Sequence, residues 1–212
     1  MSTITTRQAY DKWSEQYDTN VNKTRDLEAK ALRQVLADKN FSNVLEIGCG
    51  TGKNSLYLIT KTEHLTAADL SEEMLAKAKE KLQGWNAEFF QADINQEWSF
   101  TDETFDLVTF SLVLEHIENL DFIFSEASRK LEPGGMIYLG ELHPFKQYSG
   151  SKARFDTEEG QTIVPCFTHH ISDFVEAARK HGFRIEDIFE FFDENQEAGI
   201  PRILALTFVL QH

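Results

Sequence analysis

The sequence predicts an α/β domain: a seven-stranded, mostly parallel sheet with helices on both faces and a C-terminal antiparallel hairpin. Three observations carry this. Short apolar runs alternate with segments of helical period. A glycine cluster follows the first run. The last two runs, 183–192 and 203–210, have no helix between them and so pair antiparallel.

Residues 1 to about 40 read as helical, with Leu27, Ala31, Val35 and Leu36 on one face. Asn43 to Ile47 is the first strand, and Lys53 to Lys61 turns helical again. His64 to Asp69 is a second strand ending in an acid. Ser71 caps the next helix, Glu72 and Glu73 occupy its first turn where the dipole favours negative charge, Met74, Leu75, Ala78 and Leu82 form its buried stripe, and Gly84 stops it. Strands follow at 87–91 and 105–111. Leu120, Ile123, Phe124, Ala127 and Leu131 mark a helix, Pro133-Gly134-Gly135 a turn, 136–141 a strand, and 171–181 a helix capped by Ser172. Sheets of this kind bind ligands beyond the carboxyl ends of their strands, so the chemistry is expected just after residues 47, 69, 91, 111 and 141.

At 212 residues the chain is long enough for one sheet-centred core. The expected layout is a single domain over 1–212, with 1–40 as a helical cap and 144–168 as a lid-like insertion. The formal net charge of −14 disfavours nucleic acid and anionic membrane as partners, and no apolar run approaches the ~20 residues of a membrane span. A polar N-terminus without a signal-like core, and two cysteines (Cys49 and Cys166) in neither a disulfide framework nor a metal-ligand spacing, lead to the expectation of a cytoplasmic protein without a metal.

The glycine cluster is Glu46-Ile47-Gly48-Cys49-Gly50-Thr51-Gly52-Lys53. A dinucleotide fingerprint needs glycine at 53, where Lys53 stands. A phosphate loop ending in Gly52-Lys53 needs glycine at 47 and Ser or Thr at 54, where Ile47 and Asn54 stand. An acid followed by three alternate glycines after a first strand instead resembles the loop of the class I, Rossmann-like S-adenosylmethionine-dependent methyltransferases. The resemblance extends along the chain. Ala67 to Leu75, Gln91-Ala92-Asp93-Ile94, Phe105 to Val108 with Ser111 to His116, and Leu131 to Gly135 resemble the successive motifs of that superfamily, nearest to its small-molecule branch of ubiquinone- and menaquinone-type enzymes.

The resemblance implies S-adenosyl-L-methionine as methyl donor, S-adenosyl-L-homocysteine as product and a small-molecule acceptor, with the chain a monomer or homodimer. Asp69, about twenty residues past the loop, is expected to hold both ribose hydroxyls, which need an acceptor with two oxygens. The competing structural reading is a helix-start acid before Ser71. Glu46 is expected near the methionine end, or else bonds loop amides. Gly48, Cys49, Gly50 and Gly52 offer backbone to the donor, or only turn the chain. Asp93 would accept from the adenine amine with Ile94 against the base, or form an Asx turn. Leu70 and Met74 flank the purine, or belong to the core. Ser111 and Leu112 face the methionine moiety through their backbone.

His116 and His143 are the candidate bases, His143 because it follows the fifth strand at the cleft edge. Each could equally cap or brace a loop. His169 and His170 are expected at the solvent or in the lid. Tyr10, Trp13 and Tyr17 recur at helical spacing; in similar enzymes such a segment covers the donor, and the plainer reading is a helix packed on the domain. Phe145, Tyr148, Phe155 and Phe167, interleaved with Lys146, Lys152 and Arg154, are expected to shape the acceptor pocket, or else the segment is a two-stranded flap that makes no contact with it. Two rival functions stand beside the transferase: a catalytically silent donor-binding regulator, and an NAD-dependent oxidoreductase, against which Lys53 speaks.

Overall fold

The computed structural model describes residues 5–151, 154–157, 160–194 and 199–211. In chain order the elements are α1 (Thr6–Trp13), α2 (Lys23–Val35), β1 (Phe41–Ile47), α3 (Ser55–Leu58), β2 (Thr62–Asp69), α4 (Glu72–Lys81), β3 (Ala87–Gln91), β4 (Phe105–Ser111), a 3₁₀ turn at Leu114–His116, α5 (Leu120–Lys130), β5 (Leu131–Leu142), α6 (Pro144–Tyr148), β6 (Arg154–Thr157), β7 (Gly160–Ile163), α7 (Ile171–Lys180), β8 (Phe183–Phe191) and β9 (Ile203–Leu210). Seven strands form one sheet in the order β3-β2-β1-β4-β5-β9-β8, and β6 and β7 form a separate hairpin. Pairing is parallel from β3 through β5 and antiparallel at β5–β9 and β9–β8. The expected fold class is therefore the observed one.

Two apolar layers explain why the central strands read as near-continuous hydrophobic runs. Leu45 and Ile47 of β1 point to the face covered by Ile123, Phe124 and Ala127 of α5 and by Phe174 and Ala178 of α7. Val44 points to the other, against Leu32 and Leu36 at the end of α2 and Leu58 of α3. Period-2 alternation along one strand thus serves both layers.

Four local expectations change. The N-terminal helical stretch is two helices, separated where Asn22 begins α2 by accepting from the amides of Thr24 and Arg25. The helix expected over 53–61 shrinks to α3, because the glycine loop occupies its first residues. Pro133-Gly134-Gly135 does not end an element; it bulges out of β5, whose register against β4 jumps from Phe105–Leu131 to Leu107–Met136. The α7 N-cap is His170, not Ser172, and the Asp173 carboxylate accepts from the His170 amide at 2.7 Å.

Among the described residues no helix is long and apolar enough to cross a membrane.

Candidate active site

The strand order reverses between β1 and β4, and the carboxyl ends of β1 to β4 open there onto a cavity of about 560 Å³. Each strand end contributes. Gly48 and Gly50 come from the loop after β1, Asp69 and Leu70 from the end of β2, Asp93 and Ile94 from the turn after β3, and Ser111, Leu112, Val113 and His116 from the loop after β4. The N-terminal segment covers the opening through Thr5, Arg7, Tyr10 and Tyr17.

Asp69 is the hinge of this arrangement. Its Oδ2 accepts from the Gly50 amide and its Oδ1 from the Ser71 amide, each at 2.8 Å. Burial pushes its pKa up, and these amides oppose the shift. An ionised carboxylate offers about four lone-pair sites, so each oxygen keeps an acceptor position after these bonds are made. Gly48 and Gly50 have φ of +72° and +54°. A Cβ on Gly48 would lie 2.2 Å from Val113 Cγ2, whereas one on Gly50 would meet nothing nearer than Tyr17 at 4.0 Å. Gly48 is thus small because the β4 loop presses on it; Gly50 is turned toward open space.

Leu112 is the one non-glycine residue with positive φ among those described, at 57°. The Leu112 amide donates to Gly140 O at 2.8 Å, and the next two amides, of Val113 and Leu114, donate to Glu141 Oε1 at 2.9 and 2.7 Å. A buried carboxylate from β5 therefore over-determines the strained loop. Burial first, then the neighbouring Glu115, pushes the Glu141 pKa up to about 8.

A small chamber of about 40 Å³ adjoins the cavity behind the glycine loop, lined in part by Arg25, Glu28, Glu46, Cys49 and Asn54. Glu46 accepts from Ser55 Oγ, and burial pushes its pKa up to about 8. Glu28 joins four elements at one carboxylate. Its Oε1 accepts from Ser111 Oγ at 2.7 Å and Tyr138 Oη at 3.2 Å, and its Oε2 from Asn54 Nδ2 at 2.8 Å. A Cβ at Gly140 would lie 2.6 Å from Glu28 Oε1, so glycine there admits the carboxylate. Among the described residues Asn54 Oδ1 is buried with no partner, an acceptor open to a donor. The Arg25 guanidinium lies 5.1 Å from the Tyr17 ring centre.

Three of the expected site residues lie elsewhere. His143 is fully buried at the start of α6, where its Nε2 lies 3.0 Å from Glu190 Oε1 and its Nδ1 accepts from the Phe145 amide. The cleft lies over β1–β4, whereas His143 follows β5, its amide bonded to Arg202 O just before β9. Met74 packs with Ala9, Trp13 and Val164 in the seam that seats α1 on α4. Gly52 fits the loop against α4, where a Cβ would lie 3.1 Å from Ala78 Cα. Cys49 is buried and lines only the small chamber.

His169, expected at the solvent or in the lid, is buried and bonds Ile117 O through Nε2 at 2.7 Å. His170 is exposed and meets Tyr148 Oη at 2.6 Å. In the 144–168 segment Phe145, Tyr148 and Phe167 are exposed and outside the cavity lining. Lys152 lies outside the described residues, and Arg154 and Phe155 are described by backbone alone. Asp93 does form the Asx turn, its Oδ1 accepting from Asn95 N at 3.0 Å, while still lining the cavity.

Comparison with known proteins places a methyltransferase domain over residues 44–135. An uncharacterized methyltransferase of Emericella nidulans is 25% identical over 86% of this chain and 77% of its own length. A demethylmenaquinone methyltransferase of Leptospira interrogans is 36% identical over 47% of this chain, which spans only 43% of that relative. The fold matches an N-methyltransferase of Bradyrhizobium japonicum solved with S-adenosyl-L-homocysteine, at a TM-score of 0.73 and 20% identity, over 99% of this chain and 100% of that one. Residues 44–135 thus match a methyltransferase domain, and the chain as a whole shares its fold with solved methyltransferases.

Proposed function

We propose that the chain moves a methyl group from S-adenosyl-L-methionine to a small-molecule acceptor. Asp69 carries the reading: a carboxylate at the end of β2, fixed by two backbone amides and keeping an acceptor site on each oxygen, suits a vicinal diol. The surrounding groups fit the rest of such a donor. Leu70 and Ile94 offer apolar faces for a purine, and Asp93 an acceptor for its amine. The open side of Gly50 lets a chain pass close to the backbone. The small chamber, lined by the Arg25 cation, the acids Glu28 and Glu46, and Asn54, suits an amino-acid zwitterion. A cavity of about 560 Å³ lies within the range of small-ligand sites.

The donor supplies a methyl already activated by positively charged sulfur. The protein's work is then alignment and exclusion of water. Tyr10 and Tyr17 wall the cavity on the α1 side, and the Leu112 loop, braced by Glu141, sets the opposite wall. The acidic chain, at −14, favours a neutral or cationic acceptor over an anionic one.

Calorimetric titration with S-adenosyl-L-methionine and S-adenosyl-L-homocysteine tests the proposal. Both should bind the parent and bind Asp69→Ala about 100-fold more weakly. No binding by the folded parent, or a fluorescence response to NADH in its place, would overturn it.

A further inference from the structure

Tyr10 and His116, 106 residues apart in the chain, meet in the cavity wall. Tyr10 Oη lies 2.8 Å from His116 Nε2. The other ring nitrogen, Nδ1, lies 2.8 Å from the carbonyl oxygen of Pro165, with Cys166 Sγ at 3.9 Å. A carbonyl only accepts, so Nδ1 carries the hydrogen of the neutral ring and Nε2 is left as an acceptor. Tyr10 therefore donates to His116, and the pair has a direction.

A buried acid stands near the same nitrogen. Glu115 is buried; its Oε1 lies 3.9 Å from His116 Nε2, and its Oε2 has no hydrogen-bond partner among the described residues. Burial pushes the Glu115 pKa up, and the neighbouring His116 and a hydrogen bond with Cys166 oppose the shift. A positive charge on the imidazole would stabilise the carboxylate, and the carboxylate the imidazolium. Tyr10 itself cannot be the base. Burial, and then the neighbouring Tyr17 and Glu115, push its pKa well up, so it relays a proton only if its own leaves at the same time.

Resting on the methyltransferase reading, we infer that Tyr10 and His116 form a proton relay serving a hydroxyl acceptor of phenolic acidity. The acceptor's O–H proton moves to Tyr10 Oη as the Tyr10 proton moves to His116 Nε2, giving an imidazolium that later returns its proton to solvent. The O–H electron pair stays on the acceptor oxygen and forms the bond to the methyl carbon, while the C–S pair stays on sulfur. Glu115 is a positioning residue that compensates the imidazolium charge. The acidity follows from matching: an imidazole base removes a proton from a phenol, of pKa about 10, far more readily than from an alkanol near water's 15.7. An aromatic amine is uncharged at neutral pH and needs no base to attack, so the relay distinguishes phenols from anilines.

Methyl-labelled S-adenosyl-L-methionine with catechol, 4-methylphenol, benzyl alcohol, aniline and thiophenol as probe acceptors tests this. Label should enter the phenols. Tyr10→Phe and His116→Asn should each lower kcat about 100-fold or more while leaving KM for the donor within about threefold. Glu115→Gln should shift the pH profile of kcat rather than abolish turnover. Preference for aniline or thiophenol, or full kcat in Tyr10→Phe, overturns the relay. Where no probe is methylated, ¹⁵N resonances of His116 with S-adenosyl-L-homocysteine bound decide. An Nδ1–H tautomer whose Nε2 signal moves in Tyr10→Phe supports the relay, and an Nε2–H tautomer overturns it. Donor binding is read separately by calorimetry on each variant. Its absence from the parent would count against the methyltransferase reading, whereas intact binding with the wrong tautomer would count against the relay alone.

Discussion

The Gly50 amide points at Asp69 Oδ2 across 2.8 Å, so the glycine loop after β1 is held open by the acid that ends β2. The two residues come from adjacent parallel strands, whose last paired residues are Ile47 and Ala68. Loop shape and acid position are therefore one feature. Asp69→Ala should weaken donor binding about 100-fold, or ~3 kcal/mol, the scale of two lost hydrogen bonds to a charged group. Asp69→Asn, which keeps one acceptor oxygen, should fall between the two. Calorimetry on both variants checks this; equal affinity in parent and Asp69→Ala would show that the carboxylate serves only the loop.

Gly48 and Gly50 should respond differently to the same methyl. Both hold positive φ, which costs an alanine roughly 1–2 kcal/mol. At Gly48 the new Cβ also runs into Val113, adding overpacking of about 1–3 kcal/mol. Gly48→Ala should therefore lower the urea midpoint well below that of Gly50→Ala. Gly50→Ala, whose methyl enters open space beside Tyr17, should lose donor affinity out of proportion to its modest loss of stability. Urea unfolding and calorimetry on the two proteins separate the effects.

The contrast also explains what was legible in the sequence. Gly48, Gly50, Asp69, Asp93 and Ser111 lie at strand carboxyl ends, and strand ends follow from apolar runs bounded by turn residues, so alternation alone located the cavity. His143 reads as a cleft residue for the same reason: it follows β5, a parallel strand, but one that lies beyond the β1–β4 switch point and borders antiparallel β9, and strand order is not written in local pattern. Glu28, Glu115 and Glu141 escaped notice because a buried acid looks like any other acid until its partners are known. The signal was present for two of them. Glu28 stands one turn before Leu32 on the apolar stripe of α2, and Glu141 closes an otherwise apolar strand. The burial of His169 depends on the run after β7 crossing the 3₁₀ turn, where the Phe167 amide bonds Glu115 O at 2.7 Å, a long-range contact without a local cue.

The buried acids give the stability a definite pH dependence. Glu46 titrates at about 8 in the folded chain, above the ordinary 4.5, because burial disfavours its charge. Between those values the folded state holds a proton that the unfolded state has lost. Stability therefore falls as pH rises from about 4.5 to about 8, and levels off above. Glu141, also pushed up to about 8, acts in the same sense. Glu46→Gln removes one such proton while keeping an acceptor for Ser55, so its denaturation free energy should decline less steeply across that window. A slope equal to the parent's would mean that Glu46 stays ionised throughout.

Ser71 Oγ has two partners. It accepts from the Met74 amide at 3.2 Å, capping α4, and it donates to Asp11 Oδ1 at 2.6 Å, fastening α1. Lys77 Nζ adds a bond to Ser14 O at 2.6 Å, and Thr51 Oγ1 one to Asp18 Oδ1 at 2.7 Å, so the N-terminal segment is strapped to α4 and to the glycine loop. Removing the cap alone costs about 1 kcal/mol. Ser71→Ala removes both cap and strap, whereas Asp11→Ala removes the strap and spares the cap. If α1 is held over the cavity chiefly by this strap, both variants should expose the segment around Tyr10 and Trp13 to protease and weaken donor binding by similar factors. Only Ser71→Ala should lower the global unfolding midpoint by the cap's share. Limited proteolysis and thermal unfolding of the two proteins read these effects independently. Unchanged protease resistance in Asp11→Ala would mean that the packing of Ala9 and Trp13 on Met74 and Val164 is enough to hold α1 in place.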